Sequence, residues 1–220
     1  MSDQGPVPDR RADDFGLIET LLWTKDGGFD LLPEHLARLA ASSNTLGFIY
    51  DEARVRAALS ALVEAPAGAR LRARLVLARD GAIETSATPI DATAPETVWR
   101  VTPAQTRFDS ASPLLRHKTT RRALYEDTLA EATKACGADE VIFLNERDDV
   151  CESARCNVFV PRGDHLLTPP LASGLLPGTL RASLLAQGRA KEAVLRLDDL
   201  DGAFYLGNSV RGLVRATLMR

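Results

Sequence analysis

The sequence predicts a mixed α/β (α+β) fold in two parts, and three observations lead there. Some segments alternate polar and apolar residues, while others repeat apolar residues every three to four positions, so strands and helices are interleaved. The first half reads as an antiparallel sheet with two helices. A stretch with Ser, Asp and Pro then separates it from a second half with strands and helices of its own. The expected division is a leader at 1–14, a small N-terminal domain at 15–105, a linker at 106–116 and a second domain at 117–220. A chain of 220 residues is long enough to bury a sizeable core in this arrangement.

The leader, MSDQGPVPDRRADD, is polar and lacks the apolar stretch of a signal peptide, so disorder is expected there. Residues 16–24 (GLIETLLWT) read as a buried strand. The turn signal Asp26-Gly27-Gly28 leads into a short return strand at 29–31. Pro33 suits the first turn of a helix, Leu36, Leu39 and Leu46 give it an apolar stripe, and Gly47 can end it. A second helix is expected at 52–64. Residues 70–78 (RLRARLVLA) alternate and read as a half-buried strand whose arginines form a solvated face. Strands at 82–87 and 97–102 follow. Beyond the linker come a helix at 121–136 stopped by Gly137, the apolar strand VIFL at 141–144 and a strand at 157–160. A Pro- and Gly-rich loop at 168–178 precedes a helix at 179–186. Short strands at 194–197, 203–207 and 214–219 close the chain.

Composition excludes several classes. Apolar residues make up 45% and charged residues 26%, which suits a soluble globular protein. The net charge of −3 gives no overall attraction to nucleic acid or an anionic membrane. No segment has the long uncharged run of a membrane helix, so the cytoplasm is the expected location. Cys136, Cys151 and Cys156 form neither a disulfide framework nor a CxxC zinc pair. His35, His117 and His165 lack metal-site spacing, so no metal is expected.

Lysine is rare: Lys25, Lys118, Lys134 and Lys191. Three of them sit in polar surroundings. Lys118 lies between the linker and a helix, where desolvation and nearby cations can lower an amine's pKa and make it a nucleophile. By itself this segment fits a surface lysine as well. Glu152, between a charged turn and an apolar strand, either faces a cationic nitrogen or caps a turn. Pro177-Gly178-Thr179-Leu180 opens a helix, and the free N–H groups there suit a phosphate as readily as an ordinary turn. Arg38 lies off its helix's apolar stripe, near His35. Asn208-Ser209-Val210-Arg211-Gly212 offers a hydroxyl, an amide and a guanidinium in one tight turn.

The order of these segments resembles the class IV aminotransferases, a group that includes branched-chain and D-amino-acid aminotransferases and 4-amino-4-deoxychorismate lyase. The resemblance runs from about Phe15 to the C-terminus. It rests on FGLIETLLW, HLARLAASSNTLGF, HKTTRRALYE, DEVIFLNERDDVCESARCNVFV, LLTPPLASGLLPGTLR and GNSVRGL. It implies a D-amino-acid aminotransferase-like fold with pyridoxal 5′-phosphate (PLP) between two domains, a small amino-acid-like substrate and a homodimer. It implies that Lys118 holds PLP covalently and that Glu152 keeps the pyridinium nitrogen protonated. Arg38 and Ser209 would bind the phosphate, with the backbone N–H groups of Thr179 and Leu180. Asn157 would support the Glu152 turn, and Arg107 or Arg211 would bind a substrate carboxylate. HKTTRRALYE and GNSVRGL look most like the lyase branch, giving 4-aminobenzoate and pyruvate; an amino-acid aminotransferase is the alternative. Some positions depart from the family pattern. Cys151 and Cys156 stand where hydroxyl residues are common, and Leu180 lacks a hydroxyl that branched-chain enzymes often have. A tyrosine often follows the lysine by about one helical turn; here Ala123 takes that place and Tyr125 lies further on.

Overall fold

The computed structural model describes residues 15–64 and 68–219. The expected disordered leader at 1–14 lies outside the described residues. The N-terminal half contains β1 (Leu17–Thr24), β2 (Gly28–Phe29), α1 (Leu32–Leu46), α2 (Glu52–Leu62), β3 (Arg70–Leu77) and β4 (Ile83–Pro89). The strands form an antiparallel sheet ordered β2-β1-β3-β4. Pro33 occupies the first turn of α1, and Gly47 ends it in the left-handed conformation with its N–H on the Ser43 carbonyl. Asp51 caps α2 by accepting the N–H groups of Ala53 and Arg54. Period-two alternation in β3 sends Leu71, Ala73, Leu75 and Leu77 to the buried face. Leu75 and Leu77 meet Leu17 and Leu21 of β1, Leu36 and Leu39 of α1, and Val55 and Leu59 of α2. Each such side chain contributes about 1.5–3 kcal/mol on full burial.

The second half supplies α3 (Ala123–Cys136), β6 (Glu140–Asn145), β7 (Val150–Ser153), β8 (Asn157–Arg162), β9 (His165–Thr168), α4 (Thr179–Ala186), β10 (Ala190–Glu192), β11 (Phe204–Asn208) and β12 (Gly212–Leu218). These strands join β5 (Val98–Phe108) in a sheet ordered β10-β9-β8-β11-β12-β5-β6-β7, and a further β7–β8 pairing closes six strands into a ring. Residues 98–105, placed by the sequence in the N-terminal part, therefore pair with the C-terminal strands. The cause is parallel pairing of β5 with β12 and β6. VIFL has no polar face because both of its faces are covered. Ile142 and Leu144 pack with Val158, Phe204 and Leu206, while Val141 and Phe143 pack with Phe108 and, from α3, Tyr125 and Leu129.

Three local expectations change. β7 forms between the charged turn and the strand at 157–160, where no strand was expected, and β10 forms around Lys191, whose surroundings read as polar. The strand expected at 194–197 is instead an irregular segment leading into a short 3-10 turn at Leu197–Leu200. No helix among the described residues is long and apolar enough to cross a membrane.

Candidate active site

A cavity of about 970 Å³ opens between β3, the segment carrying Lys118, β7, the start of α4 and the turn after β11. The Lys118 segment is sewn to β1. Lys118 O accepts the Ile18 N–H at 2.8 Å, Gly16 O accepts the Thr120 N–H at 2.9 Å, and the Gly16 N–H donates to Thr120 Oγ1 at 3.0 Å. On its other side Gly16 packs close to β3, where a Cβ would lie 2.6 Å from Val76 Cγ1. Two extended segments thus fix the Lys118 backbone, and its half-buried side chain lines the cavity. Burial drives the amine down to about 7; the charges of Arg122 and Arg38 add to the fall, and Glu19 and Glu152 oppose it. Near neutral pH this amine is divided between its basic and acidic forms.

Glu152 faces the same cavity from β7. Its Oε2 accepts the Leu176 N–H at 3.1 Å, and its Oε1 accepts the Tyr125 hydroxyl at 3.0 Å. Burial raises the carboxyl to about 7, although both donors and the charges of Lys118 and Arg122 favour the anion. Asn157, paired with Glu152 across β7–β8, donates from Nδ2 to the Leu176 carbonyl at 3.0 Å. The Leu176 peptide is therefore held from both sides, its N–H by Glu152 and its C=O by Asn157. The chain then turns closely past Asn157 into α4. A Cβ on Gly178 would lie 1.9 Å from Asn157 Oδ1, so any other residue at this N-cap must push the Asn157 amide aside.

Thr179 opens α4 and is buried against the cavity. Leu180 turns its side chain into a separate apolar cluster with Phe159 and Leu184, which leaves only its backbone for the site. Arg38 lines the cavity from α1 and is clamped by Glu19, with Nε on Oε1 at 2.9 Å and Nη2 on Oε2 at 2.6 Å; its Nη1 donates to the Pro177 carbonyl at 3.2 Å. Ser209 donates from Oγ to the Thr20 carbonyl at 3.2 Å, and Asn208 Oδ1 accepts the N–H groups of Val210 and Arg211. Arg211 reaches the cavity edge, with Nη1 on the Asp91 carbonyl.

The structure thus brings Lys118, Glu152, Asn157, Arg38, Thr179, Ser209 and Arg211 to one cavity. It does not bring Arg107 there. That side chain pairs with Asp148 at 2.9 Å and donates to the Ala104 and Gln105 carbonyls. Arg72 and Arg74, read from the sequence as a solvated face, also border the cavity, Arg72 exposed and Arg74 half-buried. Their alternation was visible; the cavity that this face borders was not. Sequence reasoning also gave no role to Glu19 or His35. Their signals were a carboxylate inside an apolar run and a histidine one helical turn before Arg38. Cys151 and Cys156 are buried, and burial holds both thiols above their ordinary range. Cys151 donates to the Ser173 carbonyl, and Cys156 Sγ accepts from Asn208 Nδ2.

Residues 16–219 match the family model described as amino-transferase class IV. The chain belongs to this family. Class IV aminotransferases are PLP-dependent, and this chain is an enzyme. One similar protein, from Schizosaccharomyces pombe, is named "Putative aminodeoxychorismate lyase"; it is 31% identical over 213 residues, which cover 92% of this chain and 89% of that one. A crystal structure from Mesorhizobium loti, named "Putative amino-acid aminotransferase", is 44% identical with a TM-score of 0.88, covering 94% of this chain and all of that one. A "hypothetical aminotransferase" from Mycobacterium tuberculosis in a PLP-bound form is 26% identical with a TM-score of 0.76, covering 98% and 87%.

Proposed function

We propose that this class IV enzyme binds PLP and acts as a 4-amino-4-deoxychorismate lyase, releasing 4-aminobenzoate and pyruvate. The residues fit the cofactor. Arg38, Ser209 and the first N–H groups of α4 form a donor set for a phosphate. Glu152 is a buried acceptor suited to a ring N–H, and Lys118 is a cavity amine suited to a carbonyl. When bound, PLP supplies an electron sink that acidifies the C–H next to the substrate nitrogen.

The observation that carries the substrate class is the charge on the cavity wall. Arg72, Arg74 and Arg211 all line it, and none has an ion-pair partner among the described residues. Unpaired guanidinium groups suit a substrate with more than one carboxylate, as aminodeoxychorismate has. Lys118, as a free amine, takes the proton from the ring carbon bearing the substrate nitrogen. The C–O bond to the enolpyruvyl group then breaks, the ring becomes aromatic, and the departing enolate takes up a proton to become pyruvate. Glu152, held by Tyr125 and Leu176, would accept the ring N–H of the cofactor.

The likeness to the Mesorhizobium loti protein favours a second reading, amino transfer to a 2-keto acid. The two separate in one assay: aminodeoxychorismate is supplied without any keto acid, and 4-aminobenzoate and pyruvate are followed over many turnovers. Sustained release of both is expected. No release, with rapid conversion of bound PLP to pyridoxamine phosphate by an amino acid, overturns the lyase and establishes the transaminase.

A further inference from the structure

Glu19 and His35 take no part in the reaction above, yet they are 3% and 1% exposed. Glu19 stands on β1 and uses both oxygens inward. Besides Arg38, its Oε2 faces His35 Nδ1 at 2.5 Å. The other imidazole nitrogen, Nε2, lies 3.2 Å from Thr179 Oγ1. A buried ring therefore bridges a carboxylate on β1 and a hydroxyl on the first residue of α4. These three residues are far apart in the chain, and the hydroxyl among them lines the cavity.

Hydrogen-bond chemistry limits what this bridge can do. The charge of Arg38 and its hydrogen bonds keep Glu19 ionised, so its oxygens only accept, and His35 Nδ1 carries a hydrogen. Nε2 then has two arrangements. With the single ring hydrogen on Nδ1 it accepts the Thr179 hydroxyl hydrogen; with a further proton taken up from solvent it donates to Thr179 Oγ1. Only in the second is the threonine's own hydrogen free for another acceptor. An anion beside Thr179 favours that second arrangement, because it needs donors and gives none. Arg38, on the same carboxylate, already faces the cavity, so Glu19 anchors two phosphate-directed groups at once.

We propose that Glu19 and His35 are positioning residues that aim the Thr179 hydroxyl at the phosphate of the cofactor. This rests on the PLP reading above. The hydroxyl that Leu180 lacks is then supplied one residue earlier, through a side chain whose direction is set from β1 and α1.

The test compares PLP with pyridoxal, which lacks the phosphate. The full chain, dialysed free of cofactor, is titrated with each compound by absorbance, and the ratio of dissociation constants reads the phosphate contribution. Thr179→Val removes the hydroxyl at nearly constant shape. It should weaken PLP roughly tenfold or more, as expected for a hydrogen bond to a charged group, and leave pyridoxal unchanged. Thr179→Ser should restore PLP binding. His35→Leu should give the same selective loss, and adding Thr179→Val to it should cost little more, because the hydroxyl is no longer aimed. If His35→Leu does not fold, His35→Gln takes its place, and a His35 variant with wild-type preference for PLP over pyridoxal, while Thr179→Val loses it, overturns the positioning role. Equal weakening of both compounds by Thr179→Val, or no change in either, overturns the proposal and leaves the PLP reading standing. Wild-type protein that binds neither compound overturns the PLP reading, and this inference with it.

Discussion

Glu19 on β1 and Glu152 on β7 are both buried, both belong to the cavity wall or its support, and are pushed in opposite directions. For each, burial works to raise the carboxyl. At Glu19 the charge of Arg38 and the hydrogen bonds from His35 and Arg38 prevail and hold it at about 2. At Glu152 the direct donors are a neutral peptide N–H and a neutral hydroxyl, and the carboxyl rises to about 7. No Lys, Arg or His among the described residues forms an ion pair with it. The difference separates two uses of a buried carboxylate. Glu19 already has its cations and holds structure. Glu152 is shaped and hydrogen-bonded as an acceptor, and the cation it suits is a protonated ring nitrogen delivered by a ligand.

The largest test of this contrast is on turnover. Glu152→Gln keeps the shape and removes the charge, so the substrate carbanion loses its electrostatic support. Steady-state kinetics should show a fall of about a hundredfold or more with PLP still bound. Unchanged proton exchange at the substrate carbon would make Glu152 a structural residue like Glu19.

The second test is on stability, where the two glutamates should show opposite pH signatures. Glu19→Gln leaves Arg38 and His35 without their anion, and breaking a buried pair of this kind costs about 3–5 kcal/mol. The Glu19 carboxyl is lowered on folding, so its contribution is complete above about 4.5 and fades only as pH falls towards 2. The Glu152 carboxyl is raised on folding. The cofactor-free wild type should therefore lose stability relative to Glu152→Gln as pH rises from about 4.5 to 7, and change little above that. Melting temperatures across this range read the difference, at about 2–4 °C per kcal/mol for a chain of this size. Parallel pH profiles for the two variants would contradict the contrast.

Much of this was legible in local sequence. Gly47 and Gly137 stop α1 and α3 because each takes a left-handed conformation that closes its helix, and the helix expected at 179–186 has those bounds. Lys118, Glu152, Asn157, Thr179, Ser209 and Arg211 were each named from segment order and meet in one cavity. What was hidden depends on pairing over long distances. β7 has four residues buried on every side and so shows no alternation. Arg72 and Arg74 read as solvated because period two tells inward from outward on one sheet, not what stands opposite. Tyr125 seemed displaced along its helix, yet its hydroxyl reaches Glu152 because α3 packs on β6 through Phe143. The Glu19–His35–Thr179 chain joins β1, α1 and α4, and no window of sequence contains it.

The central claim is that Lys118 is the amine that holds the cofactor. The direct measurement is borohydride reduction of the PLP-loaded full chain, followed by digestion and mass mapping of the pyridoxyl-bearing peptide. The adduct should lie on Lys118, the lysine that lines the cavity with Glu152 and Arg38. An adduct on Lys25, Lys134 or Lys191, with Lys118 unmodified, would contradict it.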